Sequence, residues 1–541
     1  MATTHPGWPD ADARRYRREG YWRGMTFGAL SRQWAVSWPR RTALVDSDRR
    51  WTYAELDAAA DRLGVALRQW GIRGGDRVVV QLPNCAEFVL LWFALQRIGG
   101  VPVHTMPGHR KTEIGHVLRS SGAVAYVVAD RHGRFDYREL AAEVLGDLAD
   151  CLTSPRVVVV GDTGHHADFV AFDDLLRDSS SSAEIADEPV DSGDLALLLL
   201  SGGTTGLPKL VPRTHDDYLY NAAASADVAA LDGDSVYLAV LPIGFNFTFA
   251  CPGALGTLCR GGTVVLARDA SPQTAFELIA REGVTITALS PPLVPHWLEE
   301  FRTSLPELGS WRVLQVGGAR LPDEVARDAA SVMGVTVQQV FGMAEGLLNM
   351  TRLDDPVRLV TTTQGRPISP ADEVMVVDEA GRPVLDGQVG ELLTRGPYTV
   401  RGYYRAEEHN RTAFTADGFY RTGDLVRLLP SGHLVVVGRC KDQINRGGEK
   451  FAAVEVEEHL AAYPGVKAAA LVGVSDDLAE RAVAFLVCSG PPPSARELAR
   501  FLADRGLAAY KAPDRVVAVA HLPMTAVGKV DKKSLARSVS D

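Results

Sequence analysis

The sequence predicts an α/β protein. A large N-terminal domain of mainly parallel βαβ sheets carries a small β subdomain and is followed by a small α+β C-terminal domain. Three observations predict this. Short β-rich runs alternate with helical patterns from about Tyr53 to Met343, the pattern changes to strands and turns after Thr363, and a fresh α/β pattern begins after residues 438–442. A chain of 541 residues has room for two or three domains.

In chain order, the strands expected in the large domain are residues 77–82, 123–129, 156–160, 196–200, 236–241, 263–266, 285–289, 312–316 and 335–340, with helices such as 54–70 and 322–332 between them. Residues 373–377, 391–395 and 434–437 supply the β subdomain. The last hundred residues offer helices at 453–462 and 495–505 and strands at 468–472, 482–487 and 515–519, enough for a separate small domain. The expected division is therefore 1–437 for the core, 438–442 for a hinge and 443–541 for the small domain. The Ser/Asp/Glu-rich stretch 178–191 reads as a surface loop, and no internal repeat is present.

Composition narrows the function classes. The chain is 46% hydrophobic and 23% charged, as expected for a soluble globular protein with a large core. A formal net charge of −10 argues against nucleic-acid or anionic-membrane partners, which need a basic face. Six cysteines without a Cys-x-x-Cys pair point away from a disulfide framework or structural zinc and toward a reducing, cytoplasmic location. No apolar signal segment or bilayer-length run is expected.

The strongest chemical signal is Ser201-Gly202-Gly203-Thr204-Thr205-Gly206-Leu-Pro-Lys209, directly after the apolar run 195–200. Glycines let backbone N–H groups approach phosphate oxygens closely, and the hydroxyls and Lys209 add donors and charge. A lone Gly-rich segment reads as a flexible turn by default; hydroxyls and a closing lysine after a buried strand favour phosphate contact. A Walker P-loop is excluded, because Leu207-Pro208 separates Gly206 from Lys209 and no Gly-Lys-Ser/Thr opens a helix.

This loop resembles the phosphate-binding signature of the adenylate-forming superfamily, which includes acyl-CoA synthetases, nonribosomal peptide adenylation domains and luciferases. Further matches follow in the superfamily's order: Phe341-Gly342-Met343-Ala344-Glu345, Tyr420-Arg-Thr-Gly-Asp424, Gly438-Arg439, Asn445-Arg-Gly-Gly-Glu-Lys450 and Gly528-Lys529. The resemblance implies ATP and Mg²⁺ as cofactors. It assigns Glu345 to the metal, since a hard cation takes oxygen ligands, and Lys209 and Ser201 to Gly206 to the phosphates. Asp424 takes the ribose hydroxyls, with Arg439 near them. Gly317, Gly318 and Ala319 form the floor under adenine and the acid's ring, and Val340 to Ala344 line the nucleotide. Lys529, on the small domain, stabilises charge developing on the α-phosphate. The small domain is implied to be mobile, turning about Lys441 for a second, thioester-forming step that brings residues 447–448 toward a pantetheine.

More narrowly, the chain is similar to the 2,3-dihydroxybenzoate–AMP and salicylate–AMP ligases, through the runs 396–404, 441–450 and 506–511. The acid-binding stretch holds Phe245-Asn246-Phe247 and Cys251. Where amino-acid-activating relatives carry an aspartate for the α-ammonium, Asn246 is neutral and can only hydrogen-bond, so a substrate without an α-amino group is expected. In the branch this asparagine meets the 2-hydroxyl. Cysteine at 251 in place of serine, and Leu348 in place of valine, imply salicylate over its 3-hydroxy analogue, since a thiol is a weak donor and leucine takes volume. Phe245 and Phe247 depart from the branch's His and Tyr and make the pocket less polar. That leaves 2,3-dihydroxybenzoate, 3-hydroxypicolinate, a methylsalicylate or a hydroxyanthranilate open. Gly342 completes the acid site.

The expected activity is that of a stand-alone ligase, which adenylates an aryl carboxylic acid and passes it to the phosphopantetheine thiol of a separate carrier protein, no attachment motif following Lys529. An aryl-CoA ligase using coenzyme A is the rival within enzymes. A catalytically silent binding protein on the same fold is the rival outside them, and Lys209, Glu345, Asp424, Arg439 and Lys529 together argue against it.

Overall fold

The computed structural model describes residues 6–148, 155–178, 190–201, 207–446, 449–476, 479–525 and 529–540. The predicted alternation becomes two large sheets. In the nine-stranded one, Thr42–Asp46, Thr263–Leu266, Val236–Ala239, Ile286–Leu289, Val313–Gly317 and Thr336–Met343 lie parallel in that spatial order. Antiparallel strands close both edges: Arg49–Thr52 at one, Gly346–Met350 and Arg366–Pro367 at the other. The seven-stranded sheet runs Val170–Ala171, Arg156–Val160, Ala125–Ala129, Arg77–Gln81, Val101–His104 and Leu195–Leu200 in parallel, and ends in antiparallel Leu210–Thr214.

The helices between follow from local sequence. Tyr53–Gln69 starts at Thr52, whose hydroxyl accepts from the Glu55 N–H while the Glu55 carboxylate takes the Thr52 N–H, a capping box. Ala86–Arg97 reads AEFVLLWFALQR, apolar on nearly every side, and all but Glu87 is buried. A helix hydrophobic all round belongs inside a protein. At about 1.5–3 kcal/mol per large apolar side chain, it anchors the core of the large domain.

The β subdomain is a four-stranded antiparallel sheet, Glu373–Val377, Val389–Arg395, Tyr420–Leu428 and Leu434–Arg439. Beyond it Val466–Asp476, Ala479–Cys488 and Arg515–Ala518 form a three-stranded sheet. Its core is separate, with Val456, Leu460, Leu471, Leu486, Leu498 and Leu502 at its centre. Helices Ala453–Ala461 and Ala495–Asp504 pack there.

Expected strands and helices recur with ends shifted by a few residues. Several strands were not anticipated, chiefly Thr42–Asp46, Val101–His104 and Leu210–Thr214. The last contains Pro212, which is tolerated because the strand lies at a sheet edge. Of the expected loop 178–191, residues 179–189 lie outside the described residues. Among the described residues Cys85, Cys251, Cys259, Cys440 and Cys488 are free thiols, and no helix is long and apolar enough to cross a membrane.

Candidate active site

The Gly-rich segment connects two antiparallel strands, Leu195–Leu200 and Leu210–Thr214. Its base is closed twice: the Ser201 N–H donates to the Lys209 carbonyl at 2.9 Å, and the Lys209 N–H donates to Ser201 Oγ at 3.0 Å. No helix opens after Lys209, as a Walker loop would require. Gly202, Gly203, Thr204, Thr205 and Gly206 lie outside the described residues. The Lys209 ammonium sits 5.8 Å from the centre of the Tyr403 ring.

That ring joins the loop to Glu345. Glu345 occupies the turn between Thr336–Met343 and Gly346–Met350, and is buried, with 6% of its surface exposed. The Tyr403 hydroxyl donates to Glu345 Oε1 at 2.7 Å and lies 2.9 Å from the Tyr420 hydroxyl. From beneath, the fully buried Arg213 pairs with Asp217 and donates to the Ala344 carbonyl at 3.0 Å and the Tyr398 carbonyl at 3.3 Å. Three distant segments thus fix one carboxylate beside one ammonium, a set that could hold a hard cation and phosphate oxygens.

Asp424 and Arg439 face each other across adjacent strands, with Arg439 Nε donating to Asp424 Oδ1 at 2.7 Å. Burial raises the Asp424 carboxyl above its ordinary range, against the pull of Arg439 and Lys529. Lys529 reaches this cluster from the far end of the chain. Burial and the neighbouring Arg439 hold its ammonium below the ordinary lysine range, while Asp424 and Glu345 oppose them. Lys441 lies in the one-turn helix Cys440–Asp442 that follows the strand carrying Arg439. Residues 447–448 and Gly528 lie outside the described residues.

The acid-binding stretch folds as a short helix, Asn246–Ala250, beginning after Phe245. Asn246 is 9% exposed; its Oδ1 accepts from the Tyr218 hydroxyl at 2.9 Å and its Nδ2 donates to Cys251 Sγ at 3.5 Å. Burial pushes the Cys251 thiol up to about 12, so it stays protonated. The Phe245 and Phe247 rings meet edge to face, 6.3 Å between centres. Phe247 in turn covers Gly317: a Cβ there would fall 2.9 Å from the Val340 carbonyl oxygen and 3.0 Å from the Phe247 ring. Gly318 has a φ of +91° and faces open space, and Ala319 is exposed. On the next strand Gly342 pairs with Leu348, whose side chain would lie 2.7 Å from a Cβ on Gly342. Phe341 pairs with Asn349, and Met343 with Gly346.

Sequence reasoning missed several residues of this site. Tyr403 and Tyr420 stood inside recognised motifs without a role. Arg213, Tyr218 and Asn221 form a Pro-Arg-Thr-His-Asp-Asp-Tyr-Leu-Tyr-Asn run just after Lys209, and that placement was the available signal. His409 was missed too: its ring centre lies 5.2 Å from that of Tyr403, and burial followed by the Lys209 charge lowers its pKa.

The model of the AMP-binding enzyme family matches residues 31–404, and that of the AMP-binding enzyme C-terminal domain matches 455–529. The 2,3-dihydroxybenzoate–AMP ligase of Bacillus subtilis is 50% identical over 535 residues, 99% of this chain and 97% of its own. The salicyl-AMP ligase / salicyl-S-ArCP synthetase of Mycobacterium tuberculosis is 47% identical, over 98% of this chain and 94% of its own. Among solved structures, the apo structure of Mycobacterium smegmatis MbtA superposes with a TM-score of 0.76 at 46% identity, covering 99% of each chain.

Proposed function

The chain belongs to the AMP-binding enzyme family, and from that premise we propose that it is a stand-alone aryl acid–AMP ligase acting on an ortho-hydroxy aryl acid, best salicylate. The observation that carries this is the neutral, buried Asn246 amide wedged between Tyr218 and Cys251, beside the Phe245 and Phe247 rings, at the position where amino-acid-activating relatives carry an aspartate. Relatives named for dihydroxybenzoate and for salicylate support it.

In the reaction, a carboxylate oxygen of the acid attacks the α-phosphorus of ATP and pyrophosphate leaves. Lys209 and the Ser201–Lys209 loop hold the phosphates. Asp424, oriented by Arg439, accepts the ribose hydroxyls. Lys529 places its charge where negative charge grows on the α-phosphate, a preorganised contribution that costs nothing at the moment of reaction. Mg²⁺, which suits the hard oxygen of Glu345, would neutralise phosphate charge when bound. Gly317 and Phe247 bound the acid's ring, with Cys251 and Leu348 at its far edge. The small domain, residues 443–541, then turns about Lys441 in the hinge 438–442. The thiol of a separate phosphopantetheine carrier, or of coenzyme A, attacks the aryl carbonyl and releases AMP.

The test is ATP–pyrophosphate exchange with a panel of acids. Salicylate should drive exchange, and α-amino acids and long fatty acids should not. Exchange driven best by an α-amino acid would overturn the reading.

A further inference from the structure

We propose that Tyr218 fixes the polarity of the Asn246 amide, so that the site offers an N–H donor to the acid's ortho substituent and selects ortho-oxygen over ortho-amino acids. The inference rests on the aryl acid reading above and deepens it.

Tyr218 is fully buried on the helix His215–Val228, its ring under the Arg213 guanidinium at 4.8 Å and stacked on Phe249 at 6.4 Å. Its hydroxyl meets Asn246 Oδ1 at 2.9 Å, its hydrogen-bond partner among the described residues. Cys251 Sγ lies on the other side, 3.5 Å from Asn246 Nδ2, and also receives the Asn221 amide at 3.9 Å.

Amide oxygen and nitrogen are distinguished by this network. If the Asn246 amide were reversed, Nδ2 would point at the tyrosine oxygen, which can accept. The tyrosine's own hydrogen would then be stranded in a buried place, and the amide oxygen would be left with a thiol, a weak donor. Burying a hydroxyl without a partner is costly. The observed orientation satisfies the hydroxyl, the amide oxygen and one amide hydrogen, so the remaining amide hydrogen is the group Asn246 has left for a ligand.

That hydrogen sorts substrates. In an ortho-hydroxy benzoate the hydroxyl donates its one hydrogen to the neighbouring carboxylate, and its oxygen lone pairs face outward and accept. In an ortho-amino benzoate one N–H likewise serves the carboxylate, a second N–H faces outward, and the nitrogen lone pair is delocalised into the ring. Donor then meets donor. Sites built to pair with one polar group reject its mispaired analogue strongly, so discrimination of at least about 100-fold is expected.

The experiment measures pyrophosphate exchange for salicylate, anthranilate and benzoate with the wild-type chain and with Tyr218→Phe. The wild type should prefer salicylate over anthranilate by that margin. Tyr218→Phe keeps the ring packing but frees the amide to reverse, so the salicylate-to-anthranilate ratio of kcat/KM should shrink by about tenfold or more. Benzoate has no ortho group, and its kcat/KM should fall by less than that of salicylate. As a second variant, Asn246→Asp offers acceptors alone and should move the ratio toward anthranilate. A wild type that takes both acids equally well, or a Tyr218→Phe chain that loses all three acids in proportion, would overturn the proposal and leave aryl acid adenylation standing. Exchange with none of the three acids by the wild type would overturn the underlying reading along with it.

Discussion

Tyr403 donates a 2.7 Å hydrogen bond to Glu345, and the same ring lies 5.8 Å from the Lys209 ammonium. One side chain therefore holds the carboxylate proposed for the metal and faces the lysine proposed for the phosphates. Tyr403→Phe removes a hydrogen bond to a charged acceptor, worth about 1.5–3 kcal/mol. Adenylation should fall by a corresponding factor, and most of the loss should be recovered at high Mg²⁺. A Mg²⁺ titration of exchange checks this; an equal deficit at every Mg²⁺ concentration would separate Tyr403 from the metal.

The proposed function sets Cys251 and Leu348 at the far edge of the acid's ring. Cys251→Ser supplies a real hydroxyl donor and acceptor, and Leu348→Val restores volume. Together they should shift preference toward 2,3-dihydroxybenzoate by about 1–3 kcal/mol, read as the ratio of kcat/KM values for the two acids. An unmoved ratio would place these side chains away from the ring's 3-position.

How legible this was depended on the range of the interactions. Strands such as Arg77–Gln81 and Arg156–Val160 were visible because β-branched runs sit between helical patterns, a local signal. Leu210–Thr214 was missed because a five-residue strand with a proline has no such signal; its partner strand defines it. Asn246, Glu345 and Asp424 stood out by motif. Tyr218 and Tyr403 did not, because their roles exist only once distant segments meet, as when Arg213 reaches the Tyr398 carbonyl 185 residues away. Lys529 taken alone reads as a tail lysine; the Gly528-Lys529 match raised it above that, and the fold sets it beside Asp424 and Arg439.

A pH effect on stability follows from Asp372, which accepts from the Tyr398 hydroxyl at 2.6 Å while its other oxygen is buried with no hydrogen-bond partner among the described residues. Burial raises its carboxyl to about 8, against the Tyr398 and Ser369 hydrogen bonds. The folded chain thus holds this proton more tightly than the unfolded chain. The resulting stabilisation is complete below the ordinary aspartate range, near pH 4, and is lost as pH rises through about 8. Melting temperature should fall from pH 5 to pH 8 more steeply in the wild type than in Asp372→Asn, which stays neutral throughout. Parallel slopes would refute the assignment.

The two half-reactions should separate genetically. Lys529→Ala should cost adenylation about 2–4 kcal/mol of transition-state stabilisation, the scale for one preorganised donor, and spare thioester formation from synthetic aryl-AMP. Lys441→Pro should do the reverse, since proline fixes φ near −65° and blocks a hinge rotation. Assays of each variant with acid plus ATP, and with aryl-AMP plus thiol, test both. Equal loss of both reactions in both variants would contradict the hinge.

Adenylation as proposed requires the acid's own carboxylate oxygen to attack the α-phosphorus. Salicylate labelled with ¹⁸O in its carboxyl group, turned over with ATP and a pantetheine thiol, tests it most directly by mass spectrometry of the products. AMP should carry a single ¹⁸O, left behind when the thiol displaces it, and pyrophosphate should be unlabelled. Unlabelled AMP, or label in inorganic phosphate, would contradict it.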